Sequence, residues 1–475
     1  MSATTSDEDS PADLVALFAR QRSAFMAVPL PTARQRRARL SALITALQKH
    51  ADSLCEAMNA DFGGRARFES LLSDVLGPVL AARHARRHVR SWMRPRKRPT
   101  ELLFLTNRAW VEYQPKGVVG IVAPWNFPVY LALGPLIAAI AAGNRAMIKG
   151  SEYAPHTNRA LQQLLDDALG VGEVPVITGG VDIGRAFTGL PFDHLIFTGA
   201  PAIAPDVMRN AATHLTPVTL ELGGKSPALV APGADLSEAA RCIAHGKLFN
   251  AGQICVAPDY ALVPEADVER FAQAIAFAAE RLLPSAANAD DYTHIINDRQ
   301  NDRLTALIDD AIAKGAIVRY IGGTGVGRRR PLAIVTNVRP DMRLLHDEIF
   351  GPILPIVGYR DLEGAMAYIN AHPRPLALYP FGFDPRSLRR VLDGTHSGGV
   401  TINDWGWHVF NHDLPFGGIG QSGMGTYHGV EGFRELSHAR AIFRRHRGFP
   451  VGLFRPPYGR WVQQLVVRIY LGRKH

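Results

Sequence analysis

VEYQPKGVVGIVAPWNFP, residues 111–128, is a β-branched run that ends in a proline-flanked turn, and its reading decides the fold. The same texture returns in NRAMIKGSE (144–152), VPVITGG (174–180), HLIFTGA (194–200) and PVTLELGG (217–224). Each short run of strand-forming residues is followed by a stretch at helical spacing, the alternation of a mostly parallel, doubly wound sheet. It recurs beyond Gly223-Gly224 in SPALVAPGA, AIVTNV and GPILPIVGY, which predicts a second α/β domain. Residues 11–94 instead place apolar side chains such as Leu40, Ile44, Leu47 and Leu54 at helical spacing, so the chain opens with helices.

Composition narrows the function classes. The 475 residues are 47% hydrophobic and 20% charged, ordinary for a globular protein and long enough for two or three domains. The opening MSATTSDEDSP has neither basic flank nor apolar run, so no signal peptide is expected. The longest apolar stretch, 129–143, is too short to span a bilayer. Cys55, Cys242 and Cys255 form no CxxC pair, which suits a reducing cytoplasm. The net charge of +10 is concentrated: residues 438–475 hold nine Lys or Arg and no Asp or Glu. A second basic run, HARRHVRSWMRPRKRP (84–99), lacks nucleic-acid signatures and reads as a solvated helix face, so no nucleic-acid partner is expected.

Two patterns lead elsewhere than they first suggest. GGTGVG (322–327) is followed by three arginines and a strand, whereas a phosphate-cradling loop should open a helix, so a solvent-exposed hairpin or loop is expected. His84/His88 and His408/His412 are spaced four apart without a third ligand, and no metal is expected.

Five segments carry chemistry. FNAGQICVAPDY (249–260) sets Cys255 on a tight loop after a helix, while Cys242 and Cys55 read as buried small hydrophobes. TLELGGKSP (219–227) embeds Glu221 between apolar residues before a Gly-Gly hinge, costly unless the carboxylate has work or a partner. PWNFP (124–128) holds Asn126 between two prolines, where its amide could donate to a developing oxyanion. IKGSE (148–152) ends one strand, and EIFGP (348–352) enters another.

In this order the five resemble the aldehyde dehydrogenase superfamily, from about residue 20 to 445, with Glu221 34 positions before Cys255 and Asn126 23 before Lys149. CVAPDY, HDEIFGPILP, RPLALYPFGFD and DLPFGGIGQSGMGTYHGVEGFRELSH are most similar to the class 3-type members, coniferyl-aldehyde dehydrogenases above all. The resemblance implies an α/β aldehyde dehydrogenase fold. Its parts would be a Rossmann-like NAD(P)-binding domain (1–101 and 119–222), an α/β catalytic domain (223–399) and a small β oligomerisation element with bridging segments 102–118 and 400–437. Residues 438–475 would form a basic amphipathic tail. It implies oxidation of an aromatic or long apolar aldehyde to the acid, with Cys255 as nucleophile, Glu221 as general base and Asn126 at the oxyanion. Lys149 and Glu152 would meet the adenosine ribose, Gly199 and Ala200 the pyrophosphate, Glu348 the nicotinamide ribose and Phe350 the nicotinamide, with Trp125 also among the cofactor contacts. A carboxylate at position 152 favours NAD, with NADP as the alternative. A homodimer is implied as well.

The chain also departs from the family pattern. FTGAPAIA (197–204) stands where FTGSTxxG is usual, so Ala200 lacks a hydroxyl, Ala204 replaces a glycine, and Pro201 is expected to remove one N–H from the helix start. Gly150 replaces a proline. A cofactor-impaired thiol esterase and a non-catalytic binding protein are therefore the competing readings. Two aromatic-rich stretches remain open. Trp405, Trp407 and Phe410 either border the substrate or meet a partner subunit. From Trp461 to Tyr470 an apolar stripe opposes Arg460, Gln464 and Arg468, which predicts a helix that docks on a subunit or rests peripherally on an anionic membrane.

Overall fold

The computed structural model describes residues 9–283, 291–323 and 325–472. The helical opening comprises Pro11–Ala27, Ala33–Lys49, Ala51–Phe62 and Gly77–Trp92, among others. Two of these start on reciprocal caps that local sequence dictates: Ser10 with Asp13, and Thr32 with Gln35.

The 111–128 stretch contributes Val118–Val122 to a six-stranded sheet. In spatial order its strands are Gly423–Met424, Val218–Leu222, His194–Gly199, Val118–Val122, Arg145–Lys149 and Val176–Ile177. All pairs are parallel except the short Gly423–Met424 edge, which runs antiparallel with Gly423 opposite Glu221. From Val118–Val122 the chain winds outward to Arg145–Lys149 and Val176–Ile177, then returns to the other side at His194–Gly199. The order therefore reverses between Val118–Val122 and His194–Gly199, and the crevice outside their carboxyl ends is where such sheets bind ligands. The helix Tyr130–Ala142 that follows the first of these strands is buried along its whole length, as its uniformly apolar sequence requires.

A seven-stranded sheet runs Ile317–Ile321, Leu332–Thr336, Ile353–Tyr359, Tyr260–Pro264, Pro227–Val230, Ala377–Phe381, Gly399–Val400. Only its first pair is antiparallel. GGTGVG lies in the loop of that hairpin, as the sequence predicts, with Val326 bridging Arg329; Thr324 itself lies outside the described residues.

The chain divides into two compact units. One comprises Met1–Trp92 with Pro115–Ser437 and holds both large sheets. The other comprises Met93–Gln114 with His438–His475. Residues 400–437, taken from sequence as a bridge, belong to the larger unit. Their Gly423–Met424 strand extends its six-stranded sheet, and Gly432 packs against Ala138. The smaller unit carries the strand order Arg96–Arg98, Arg108–Pro115, Ser437–Arg444 and its own ring cluster, Phe104 with Phe443, Phe449 and Phe454. Its last helix, Trp461–Leu471, has no buried residue.

Candidate active site

The turn after Val118–Val122 is held from three directions. The Asn126 carbonyl accepts from Arg65 Nη1 at 3.0 Å and from Asn250 Nδ2 at 3.1 Å, and the Asn126 amide donates to the Gln253 carbonyl at 3.0 Å. Arg65 is paired with Asp74 at 2.8 Å, both side chains fully buried. The other Asp74 oxygen accepts from the backbone of Val129 and Tyr130, at the start of the helix Tyr130–Ala142. A buried carboxylate is favourable there because it meets unsatisfied N–H groups and the positive end of the helix.

Cys255 follows the helix Leu236–Leu248 through a strained turn. Asn250, Ala251 and Gly252 have φ values of +49°, +50° and +69°, a left-handed sequence that only Gly252 adopts without cost. Gln253 compensates by wiring the loop in place. Its amide donates to the Asn250 and His294 carbonyls and accepts from Ile296 N. A Cβ on Gly252 would lie 2.5 Å from the Gly351 carbonyl, so the close approach of the cysteine loop to EIFGP requires glycine.

Cys255 and Glu221 both line a cavity of about 300 Å³, together with Asn126, Trp125, Gly199, Ala200, Glu348 and Phe350. Glu221 is buried, and neither carboxyl oxygen has a hydrogen-bond partner among the described residues. Burial pushes its pKa well above the usual carboxyl range. The Cys255 thiol is pushed up to about 12, by burial first and then by Glu348 and Glu221. A buried acid with no structural partner, beside a thiol, is suited to move a proton.

EIFGP is anchored by groups the sequence reading passed over. Arg303 donates to the Glu348 and Ile349 carbonyls at 3.1 and 2.6 Å, and Asp259 accepts from Ile349 N at 2.9 Å. Asp259 is ion-paired with Lys225 in the interior. Both lie inside quoted motifs, four residues after Cys255 and Glu221 respectively, so a demand for partners of buried charges could have found them. A Cβ on Gly223 would strike the Glu348 carboxyl, which explains the first glycine of the hinge. Phe350, itself at φ +48°, meets Trp125 edge-on at 5.3 Å.

A second cavity of about 490 Å³ adjoins the first, sharing Trp125, Thr198, Gly199, Ala200 and Gln300, and is lined also by Lys149 and Glu152. Lys149 is buried, donating to the Gly150 and Gly179 carbonyls at 2.7 Å each, and Glu152 is exposed. Two observations fit this cleft to a dinucleotide. Gly180 and Gly184 line it, and an added Cβ at either would meet nothing within 4 Å, so bare backbone faces open space. Thr198 Oγ1, which lines it, is buried without a partner among the described residues, as is Glu348 Oε1 in the adjoining cavity.

One sequence expectation about the departures is corrected. The helix begins at Ala204 with Pro205 in its first turn, and Pro201 lies in the preceding turn closed by Ile203 N to the Ala200 carbonyl. The N–H missing from the helix start is thus that of Pro205. At Gly150, where the family has proline, an added Cβ would meet Asn158 Oδ1 at 2.1 Å. Trp405 does not line the cavities; it is buried, its indole donating to His245 at 3.1 Å, while Trp407 and Phe410 are exposed. The described residues contain no group of three side chains placed to hold a metal ion.

Residues 3–442 match the Aldehyde dehydrogenase family. The chain is 48% identical over 458 residues to a probable coniferyl aldehyde dehydrogenase of Pseudomonas aeruginosa, covering 96% of each. It is 45% identical over 443 residues to the coniferyl aldehyde dehydrogenase of a Pseudomonas species, covering 91% of each. Staphylococcus aureus AldH in its substrate bound state superposes with a TM-score of 0.91 at 32% identity, covering 96% of this chain and 99% of that one. Mycobacterium tuberculosis aldehyde dehydrogenase complexed with NAD+ gives 0.84 at 27% identity, covering 94% and 92%. With a thiol and a partnerless buried acid in one cavity beside a dinucleotide-sized cleft, this chain belongs to the aldehyde dehydrogenase family and is an NAD(P)-dependent oxidoreductase of aldehydes.

Proposed function

We propose that the protein oxidises aromatic aldehydes of the coniferyl type to their acids, with Cys255 as nucleophile and Glu221 as base. The observation that carries the assignment is the shared cavity, in which Glu221 is buried without a hydrogen-bond partner beside the Cys255 thiol. Glu221 takes the thiol proton, and the sulfur adds to the aldehyde carbon. The carbonyl oxygen becomes an oxyanion held by the Asn126 amide and the Cys255 backbone N–H. NAD, when bound, supplies the two-electron acceptor. Hydride loss from the adduct carbon leaves a thioester on Cys255. Once it has released the thiol proton to solvent, Glu221 takes a proton from the attacking water, the C–S bond breaks with Cys255 leaving as the thiolate, and the acid departs.

Lys149 and Glu152 would hold the adenosine end of the cofactor, Gly199 and Ala200 its pyrophosphate, and Glu348, Phe350 and Trp125 the nicotinamide end, all of them lining the two adjoining cavities. The exposed Glu152 at the cleft repels a 2′-phosphate, which favours NAD over NADP. The working form is a homodimer. The exposed apolar side chains of Trp461–Leu471 are covered by a second copy of the chain, with peripheral contact to an anionic membrane as the competing occupant.

An aldehyde panel with each cofactor tests the substrate and cofactor assignment. Coniferaldehyde with NAD should give the highest kcat/KM; a preference for short aliphatic aldehydes or for NADP would overturn it. In the same assay Cys255→Ser should abolish oxidation while retaining NAD binding, and Glu221→Gln should slow turnover by about 10²–10⁴. Substantial activity in the serine variant removes Cys255 from the mechanism.

A further inference from the structure

Ala33–Lys49 and Gly77–Trp92 pack against each other, and neither helix contains a single Asp or Glu. Their arginines have three destinations. Arg36 is buried and donates to the Pro31 and Ala141 carbonyls, and Arg39 pairs with Glu173. The remaining six, Arg34, Arg37, Arg83, Arg86, Arg87 and Arg90, line one groove of about 730 Å³ between the two helices. None of the six forms an ion pair with a described carboxylate, and Arg86 alone is hydrogen-bonded to a side chain, Ser41 Oγ at 3.2 Å. Several exposed arginines elsewhere are neutralised one turn away, as in Arg209 with Asp206, Arg241 with Glu238 and Arg343 with Asp347.

Arg83 and Arg87, and likewise Arg86 and Arg90, are like charges four apart on one helix, which destabilises it. Converging them with two more from a second helix compounds the repulsion, so an anion in the groove would be bound with relief of strain. The length of the groove limits what that anion is. Arg34 to Ser41 and Arg83 to Arg90 each advance about 10 Å along a helix axis. A nucleic-acid strand, at about one phosphate per 3.4 Å, brings roughly three singly charged phosphates into that span, less charge than a tripolyphosphate carries on the same number of phosphates, and a flat lipid surface meets only the rim of a groove. A linear triphosphate concentrates its charge within that length, and guanidinium forks bind phosphoryl oxygens in pairs. We propose that this groove binds the phosphate chain of a short linear polyphosphate, inorganic tripolyphosphate or the triphosphate of a nucleotide.

The test is calorimetric titration of the full-length protein at low salt, with NAD saturating so that the dinucleotide cleft is filled. Tripolyphosphate should bind one per chain, far more tightly than orthophosphate. Arg37→Gln with Arg87→Gln should weaken it at least tenfold while leaving NAD affinity unchanged, and Arg34→Gln with Arg90→Gln should reproduce the loss. ATP in place of tripolyphosphate distinguishes the sources: comparable or tighter binding through the same arginines points to a nucleotide, and no ATP binding points to the inorganic chain. The proposal is overturned by absence of saturable binding, or by equal loss in a variant of the tail arginines, Arg440→Gln with Arg444→Gln. It is also overturned if a 20-nucleotide DNA strand or phosphatidylglycerol vesicles bind these arginines more tightly than tripolyphosphate does.

Discussion

Glu348 enters the cavity against Gly223, close to Asp259 and Lys225, with one oxygen lacking a partner among the described residues. Its carboxyl is pushed up from 4.5 to about 7 by burial and by Asp259, against the pull of the Gly224 N–H, Lys225 and Arg303. Because the folded value lies above the unfolded one, the folded chain holds the proton more tightly, and stability falls as pH rises between the two. Below about 4.5 the carboxyl is protonated in both states and costs nothing as a charge; above about 7 the chain carries the whole cost of the buried anion. Glu348→Gln should therefore match the wild type in denaturant midpoint at pH 4 and exceed it at pH 8, by a difference on the order of a few kcal/mol. Parallel pH profiles for the two proteins would show that the carboxylate is fully compensated in place.

Among the connecting elements, the Arg65–Asp74 pair joins the helical opening to the PWNFP turn and the start of Tyr130–Ala142. Removing one member of a buried pair leaves the other uncompensated, so Arg65→Met should cost about 3–5 kcal/mol in urea denaturation. It should also lower kcat, because the Asn126 carbonyl loses a donor and the amide its fixed direction; unchanged stability would show that Asp74 is satisfied by backbone alone. The turn after His194–Gly199 supplies a second element-scale prediction. Ala200 faces both cavities without a hydroxyl. Ala200→Ser should tighten NAD binding by roughly tenfold at most, the worth of one hydrogen bond of about 1 kcal/mol. An unchanged dissociation constant by calorimetry would mean that the turn around Pro201 aims position 200 away from the pyrophosphate.

Across the whole molecule the charge is uneven, and the smaller unit ends in a helix whose Trp461 is 74% exposed and Ile469 67% exposed. No helix among the described residues is long and apolar enough to cross a membrane. Deleting residues 456–475 should convert dimer to monomer by light scattering if the stripe packs on a second copy. Wild-type sedimentation with anionic liposomes at low salt that disappears in the truncated chain would instead assign the stripe to the membrane.

Strand–helix alternation and the helical opening were legible in the sequence because they rest on local rules: β-branched runs, helical spacing, and glycine and proline at turns; the ten candidate site positions came from motif residue types and from the family resemblance, and the structure brings them to two adjoining cavities. Even the hairpin at GGTGVG followed from what stands next to it. Tertiary structure alone decided which residues hold those positions. Arg65 and Asn250 reach Asn126 from 61 and 124 positions away, and Asp74 holds Arg65 in place, distances at which local pattern carries no information. It also decided why Gly150 is glycine, since Asn158 occupies the space a side chain would need. The basic run 84–99 looked like a solvated face because spacing describes one helix at a time; only the packing of Ala33–Lys49 against Gly77–Trp92 turns two ordinary basic faces into one groove of unpaired charge.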